Sequence, residues 1–288
     1  MTELSFAKEP ELRKPIPANY DTAKYKYSFN EVRAEIKKPF EEKLKRSVQL
    51  IKMFANSSNA CVSCSFGKDS LVVLHLALQE NPHIPVNFNN TLCEFPETIQ
   101  FKDHIVDSWD LNFSELRPEK GVNWFSIQRR IIAEGLRRDD GRKHADICCD
   151  GLKIKPFRKW RIGTGITKSF TGITASESRN RFITACMKGT EYYALRDGLY
   201  KIHPILYWTE DEVWQFTHDL HLPVNLAYQK YRLKRIGCMY CMSFRNWRPQ
   251  LARINNRMYC YILKNFCLDP QWRISDPSYN GPPEVAYA

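Results

Sequence analysis

The 288-residue chain has no apolar run long enough to cross a bilayer. Its longest apolar stretch, Leu71 to Leu78, is broken by His75, far short of the roughly 20 residues a spanning helix needs. Met1 to Pro17 mixes Glu, Lys and three prolines without an apolar h-region or a small-residue cleavage site, so no secretory signal is expected. A cytoplasmic protein with no membrane association is the expectation. Internal repeats and low-complexity tracts are missing too. The seven histidines form no H-x-H or H-E-x-x-H pattern, which sets aside histidine-based metal sites. Acid is not in excess: 43 Lys and Arg stand against 32 Asp and Glu, a formal net charge of +11, which excludes an acidic disordered tail protein. Such a charge suits nucleic acid, a phosphorylated small substrate or solubility alone.

What is present describes a folded globule: 43% apolar residues, 13% aromatic and 26% charged. Ten cysteines in a large chain with no secretory signal point to metal ligation, sulfur chemistry or apolar packing rather than a disulfide framework. Residues 1–28, with prolines and then Tyr20, Tyr25 and Tyr27 among lysines, read as an extended arm. Val32, Ile36, Phe40, Leu44, Val48 and Ile51 then recur at helical spacing, with Pro39 as a break. The run 60–66 reads as a strand ended by Gly67, Asp69 and Ser70 as a helix start that 71–79 propagates, and 84–89 as a second strand, together a βαβ unit. Further helices are expected at 95–109 and 125–136, a charged turn at 137–143, and strands at 170–174 and 199–205. The last third reads as helical, with 247–266 the longest candidate. The expected division is an arm with helices at 1–55, a central nucleotide-binding domain at 56–244 and a helical extension at 245–288.

Two constellations carry chemistry. The first, Ser65-Phe66-Gly67-Lys68-Asp69-Ser70, sits where a buried strand turns into a helix, and there free backbone N–H groups and the positive helix end favour anions. Gly67 permits a tight turn, Ser65 and Ser70 offer hydroxyls, Lys68 offers charge, and Asp69 can hold a Mg²⁺ that bridges phosphate oxygens. The second is Cys148-Cys149 with Cys238-Met239-Tyr240-Cys241, four thiols that suffice for a closed zinc or iron–sulfur site. Neighbouring cysteines on a helix point about 100° apart, which favours a [4Fe–4S] cluster over one small ion. Cys61 and Cys64 read as core, with Cys64 as the one that can face the loop. Cys186, Cys260 and Cys267 read as packing residues, a sulfur relay being the alternative for the last two. Basic clusters recur at Arg129-Arg130, Arg137-Arg138, Arg142-Lys143, 153–161 and 230–235, with Arg245 and Arg248 near the C-x-x-C.

The loop resembles the PP-loop of the N-type ATP pyrophosphatases, S-x-G-x-D-S. With Cys-Cys and a distant C-x-x-C on the same chain, the whole resembles the phosphoadenylylsulfate and adenylylsulfate reductase family and its sulfurtransferase relatives in DNA phosphorothioation. Three more segments agree. Residues 91–98, Thr-Leu-Cys-Glu-Phe-Pro-Glu-Thr, are similar to T-G-x-E-F-P-E-T. Residues 172–179 are similar to the first eight positions of G-x-R-x-x-E-S-x-R, and 204–214 to P-[IL]-x-x-W-T-x-x-[DE]-V-W. Residues 148–156 likewise resemble C-x-x-x-L-K-[IV]-x-P.

The resemblance implies an α/β fold of the adenine nucleotide α-hydrolase type, a Rossmann-like, mostly parallel sheet flanked by helices. It implies ATP at Ser65, Phe66, Gly67, Lys68, Asp69 and Ser70, with Glu177 and Arg179 contributing, and with Lys68, Asp69 and Ser70 as catalytic residues. Mg²⁺ and a [4Fe–4S] cluster at Cys148, Cys149, Cys238 and Cys241 are the further cofactors. The chain departs from the reductase pattern in four places. Asp69-Ser70 is intact, Thr174 stands where the pattern has Arg, the 91–98 segment lacks the pattern's Gly and carries Cys93, and no E-C-G-[IL]-H motif carries a late nucleophilic cysteine. These departures lead to the expectation of an ATP-dependent sulfurtransferase that adenylylates an acceptor, DNA backbone phosphate before tRNA. A cysteine desulfurase would be the sulfur donor, with companion DNA-modification subunits and a homodimer among the expected partners. A sulfonucleotide reductase producing sulfite with thioredoxin, or a tRNA-thiolating enzyme, is the alternative.

Overall fold

The structure, a computed structural model, describes residues 25–134, 147–195, 197–241 and 247–266. The arm up to residue 24, the charged turn at 137–143, Arg245, Cys267 and the extension beyond Phe266 lie outside the described residues. Six strands form one mostly parallel sheet in the order β3-β2-β1-β4-β6-β5, with helices on its faces. The strands are β1 (Ala60–Ser63), β2 (Val86–Asn89), β3 (Phe113–Leu116), β4 (Lys168–Thr171), β5 (Glu191–Ala194) and β6 (Leu199–Ile202). β1 runs parallel to β4 with Ala60 opposite Lys168, β4 runs parallel to β6, and β5 closes the edge antiparallel to β6. From β1 the chain goes through a helix to β2 on one side, whereas β4 pairs on the other. The β1/β4 junction is therefore the topological switch point, where open α/β sheets bind ligands beyond the carboxyl ends of their strands.

The chain divides into two compact units. The first comprises the described residues up to Cys64, Lys68–Val86 and Ile166–Pro223. In it α1 (Phe29–Lys37) starts on a capping box in which Ser28 and Glu31 satisfy each other's backbone N–H groups. Pro39 forces Lys38 into extended backbone, so the helical periodicity breaks there and resumes as α2 (Phe40–Ala55). α3 (Lys68–Glu80) is apolar on nearly every side, with Leu71, Val72, Val73, Leu74 and Ala77 all buried, the signature of a helix enclosed by protein. α7 (Arg179–Lys188) and α8 (Glu210–Asp219) complete the unit's longer helices, α8 starting on a Thr209/Glu212 capping box. Buried Lys43 is neutralised by Glu212, and the Trp208 indole donates to Ser47 Oγ at 3.0 Å.

The second unit comprises Ser65–Gly67, the described residues from Asn87 to Gly165 and those from Val224 onward. Its helices are α4 (Pro96–Ser108), α5 (Trp124–Ala133), α6 (Lys155–Thr164), α9 (Ala227–Lys230), α10 (Trp247–Ile254) and α11 (Asn256–Phe266). The core is helical and aromatic: Trp124, Ile127, Ile131, Leu152, Tyr240, Trp247, Leu251, Tyr259, Ile262 and Phe266 pack together. Each fully buried aliphatic or aromatic side chain contributes about 1.5–3 kcal/mol. The single helix expected at 247–266 is two helices. Asn255 ends the first, and its side chain accepts from Met258 N at 2.9 Å, capping the second. No helix among the described residues is long and apolar enough to cross a membrane.

Candidate functional site

Phe66, in the loop after β1, adopts φ 55°, a left-handed conformation that a bulky side chain reaches only at a cost in strain. Packing supplies the restraint. Its fully buried ring lies edge-on to Phe88 at 5.5 Å and to Phe113 at 6.1 Å, while its carbonyl accepts from Asn225 Nδ2 at 3.3 Å. Asn225 also donates to Thr98 Oγ1 at 3.1 Å, tying the loop to the 91–98 segment. A Cβ on Gly67 would stand 3.2 Å from Tyr228 Oη and 3.6 Å from Ser65 Oγ, so the glycine is set by closeness rather than by its φ. Asn225 and Tyr228 were not anticipated from sequence, because nothing in the local pattern announces a side chain arriving from 159 residues away.

α3 begins on Lys68, one residue ahead of the start expected at Asp69-Ser70, so Lys68, Asp69 and Ser70 form its first turn. Lys68 is buried, and its Nζ lies 2.9 Å and 3.0 Å from the two Asp69 carboxylate oxygens, with Glu210 at 3.9 Å. The carboxylate is thus engaged by lysine and must exchange that contact to hold a metal ion. Ser70 is buried, and its Oγ accepts from Cys64 Sγ at 3.6 Å, so Cys64 does face this turn. From the neighbouring strand end, Gly172 presses so close that an added Cβ would lie 2.5 Å from Asp69 C and O and from Ser70 N. Only a residue with no side chain leaves the first turn of α3 where it is. Beyond it, Glu177 pairs with Arg181, while Arg179 stands exposed at the start of α7. Between β4 and β6, buried His203 places Nδ1 2.6 Å from Thr171 Oγ1. Burial, followed by nearby Lys201, Arg181 and Lys188, pushes its imidazole down to about 3 and keeps it neutral.

The second unit gathers the thiols. Cys148 and Cys149 are helical, and the chain passes into a π-helical turn, Asp150–Ile154, before α6. Cys238 and Cys241 lie on a tight turn closed by Cys241 N donating to Cys238 O at 3.2 Å. That turn is pinned to residues 91–93: Met239 N donates to Cys93 O at 2.7 Å, and Thr91 Oγ1 lies 3.3 Å from Cys238 Sγ. Thr91 also donates to Glu94 at 2.6 Å. Tyr240, whose hydroxyl reaches Leu92 O at 3.5 Å, anchors the turn in the aromatic core against Trp124.

Burial raises the Cys148 thiol, and Cys238, Cys149, Cys93 and Cys241 raise it further, so the four predicted thiols lie within electrostatic reach of one another. Cys238 is pushed up to about 12, by burial against the opposing pull of Lys153. Lys153 in turn is held protonated, chiefly by Cys238 and then by Glu94, Cys149 and Cys241 against the cost of burial. A fifth thiol, Cys93, is buried beside them and raised to about 11, an arrival that spacing along the chain did not signal. Among the described residues no three Cys, His, Asp or Glu side chains converge tightly enough for one metal ion. Thiolates are ligands for zinc and for iron–sulfur groups alike, and Lys153 and Thr91 lie beside Cys238 among them.

Residues 59–244, which include the loop, the 91–98 segment and all four thiols, match the Phosphoadenosine phosphosulfate reductase domain model. The chain belongs to this family. It is 31% identical over 202 residues to the phosphoadenosine 5′-phosphosulfate reductase of Xanthomonas axonopodis pv. citri, across 70% of this chain and 78% of that protein. It is 31% identical over 183 residues to the adenosine 5′-phosphosulfate reductase of Staphylococcus epidermidis, across 63% and 69%. The solved phosphoadenylyl-sulfate reductase of Candida auris in its phosphate complex is similar in fold, with a TM-score of 0.51 at 16% identity over 69% of this chain and 93% of that one. The members are enzymes, and the fold is the adenine-nucleotide type expected from the loop. Thr174, in the position of the resemblance's Arg, is buried at the end of the β4 segment and offers no cation there.

Proposed function

We propose that the chain binds a sulfonucleotide, adenylyl sulfate or its 3′-phosphorylated form, at the first turn of α3 and reduces it to sulfite with electrons from a dithiol protein such as thioredoxin. The observation that carries this reading is the family match, which runs unbroken through the nucleotide loop and the thiol group and is shared with relatives named as reductases of these two nucleotides. Lys68 and the amino end of α3 would neutralise phosphate charge, and the close approach of Gly172 holds that turn in place. Arg179, exposed at the start of α7, is a candidate cation for the sulfate or the 3′-phosphate. Cys148, Cys149, Cys238 and Cys241 would hold a [4Fe–4S] cluster, which when bound supplies concentrated charge and redox capacity. Thr91 and Lys153 would face its sulfur ligands.

A second reading is favoured by one specific departure: Asp69 and Ser70 complete S-x-G-x-D-S, and no E-C-G-[IL]-H cysteine exists in the sequence. On this reading the loop binds ATP, with Asp69 as the carboxylate for Mg²⁺, and an acceptor is adenylylated for sulfur transfer. DNA backbone phosphate is the first acceptor and tRNA the second, with a cysteine desulfurase as donor. One assay separates the two. Anaerobically purified protein is offered each sulfonucleotide with thioredoxin, and separately ATP with Mg²⁺. The reductase yields sulfite, lost in Lys68→Ala, and no pyrophosphate from ATP. Pyrophosphate and AMP from ATP, lost in Asp69→Ala and without sulfite from either nucleotide, would put sulfur transfer first.

A further inference from the structure

The positive charge of this chain is not shared evenly. The stretches that form the second unit (65–67, 87–165 and 224–288) carry 24 Lys and Arg against 15 Asp and Glu, while those of the first carry 19 against 17. Within the second unit, residues 151–165 contain five Lys and Arg and no acid. Four of those cations lie on α6, a ten-residue helix none of whose residues is buried. The exposed face of α2, by contrast, mixes its charges, Glu41 and Glu42 with Lys45 and Arg46. α6 instead places Lys155 near Arg158 and Lys159, and Arg158 near Arg161, all at spacings where like charges repel. Its start is steadied by Pro156 in the first turn and by Lys155 at 3.6 Å from Asp150, and its end by Gly165 in left-handed conformation. Phe157 and Trp160, one turn apart, pair their rings at 6.0 Å while remaining partly exposed, and Ile162 is 65% exposed.

We propose that α6 is a docking surface for single-stranded nucleic acid, with Lys155, Arg158, Lys159 and Arg161 on phosphates and Phe157 and Trp160 as a stacking platform for unpaired bases. The charge excess would attract any polyanion. The interleaved aromatic pair selects one with flat faces, because stacking on Phe and Trp is sequence-tolerant and needs bases released from a duplex. An RNA loop and an unpaired DNA stretch share this chemistry. The inference stands apart from the reaction proposed above, because binding is read without sulfonucleotide, ATP or thioredoxin, and failure of either leaves the other standing.

The test is fluorescence anisotropy of the full chain with labelled oligonucleotides of about 20 residues, comfortably longer than a typical single-strand site. Single-stranded RNA, single-stranded DNA and duplex DNA are compared at low and at physiological salt. Wild type should bind the single strands with an affinity that falls roughly 10-fold or more over that salt range. Arg158→Glu with Lys159→Glu should weaken binding at least ~10-fold, whereas Lys37→Glu with Lys45→Glu, which removes the same charge from the first unit, should change it less than ~2-fold. Trp160→Ala should weaken single-strand binding ~5-fold or more without affecting the duplex, and Trp160→Phe should restore most of it. Tighter binding of RNA or of DNA then names the source. Equal losses in both charge-reversed pairs would reduce the effect to net charge and overturn the proposal. Indifference to Trp160, or displacement of the oligonucleotide by poly-glutamate as readily as by unlabelled RNA, would overturn it in favour of an acidic protein partner.

Discussion

The two units solve opposite electrostatic problems. The first, nearly balanced in charge, buries its ions in pairs: Lys43 with Glu212, and Lys68 with Asp69. The second, with its excess of cations, holds Cys148 and Cys238 as thiols kept protonated by burial, with Lys153 pulling the other way at Cys238. If the first turn of α3 binds an anionic nucleotide, as proposed, the Lys68–Asp69 pair keeps the empty turn from carrying an uncompensated charge. Buried neutral thiols in the second are costly to ionise, a cost that a bound cationic group would offset. On the proposed function, nucleotide recognition would fall to close backbone approaches at the parallel sheet, and sulfur chemistry to side chains on turns and a π-helical segment.

The largest effect that would sharpen the contrast is acid sensitivity of the first unit. His203 titrates near 6.5 when unfolded but is held neutral down to about 3 when folded, so the unfolded chain binds the extra proton in between. Stability is therefore intact above 6.5 and falls with pH, by up to about 4 kcal/mol as pH nears 3. Melting temperatures from pH 7 to 4 should decline more steeply for wild type than for His203→Gln, and parallel curves would remove histidine from the account. Next is Ile262→Ala in the helical core, expected to cost about 3 kcal/mol and to drop the denaturant midpoint followed by tryptophan fluorescence. If nucleotide affinity survives at concentrations where this variant remains folded, the units act separately, and a proportionate loss would break the comparison.

Gly172→Ala should cost about 2 kcal/mol through the 2.5 Å encroachment on the first turn of α3. Calorimetry should show weakened nucleotide binding, with iron content of the anaerobic protein unchanged. The smallest effect is Thr91→Val, which removes one hydroxyl from Cys238 Sγ at about 1 kcal/mol. A shifted visible absorption or midpoint potential with unaltered nucleotide affinity is the expected result, and an unchanged spectrum would detach Thr91 from the sulfur site.

Much of this was legible in the sequence wherever chemistry and conformation are local. Ser65 to Ser70 had to lie at a strand-to-helix junction, Pro39 had to divide two helices, and Cys238 and Cys241 had to share a turn. β3 and β5 were not foreseen, and both are edge strands. An edge strand needs no continuous apolar run, and Phe113-Ser114-Glu115-Leu116 and Glu191-Tyr192-Tyr193-Ala194 present mixed faces that resemble loop sequence. Cys93 was visible only as a departure from a pattern, because its nearness to Cys148 and Cys238 is a product of tertiary folding. The engagement of Asp69 by Lys68 was equally hidden, since adjacent residues on a helix need not touch.

The backbone of Phe66 carries a consequence for how the protein is made. A left-handed phenylalanine is not a conformation that the segment 65–67 would choose while the rest of the chain is missing, and one of the groups that holds it, the Asn225 amide, comes from far downstream. During synthesis the first strand and its helix emerge early, yet the turn between them lacks that clamp until residue 225 has left the ribosome. If the loop binds nucleotide as proposed, nascent chains shorter than this should bind it weakly however well their early segments have folded, and competence would switch on late in translation instead of growing with length.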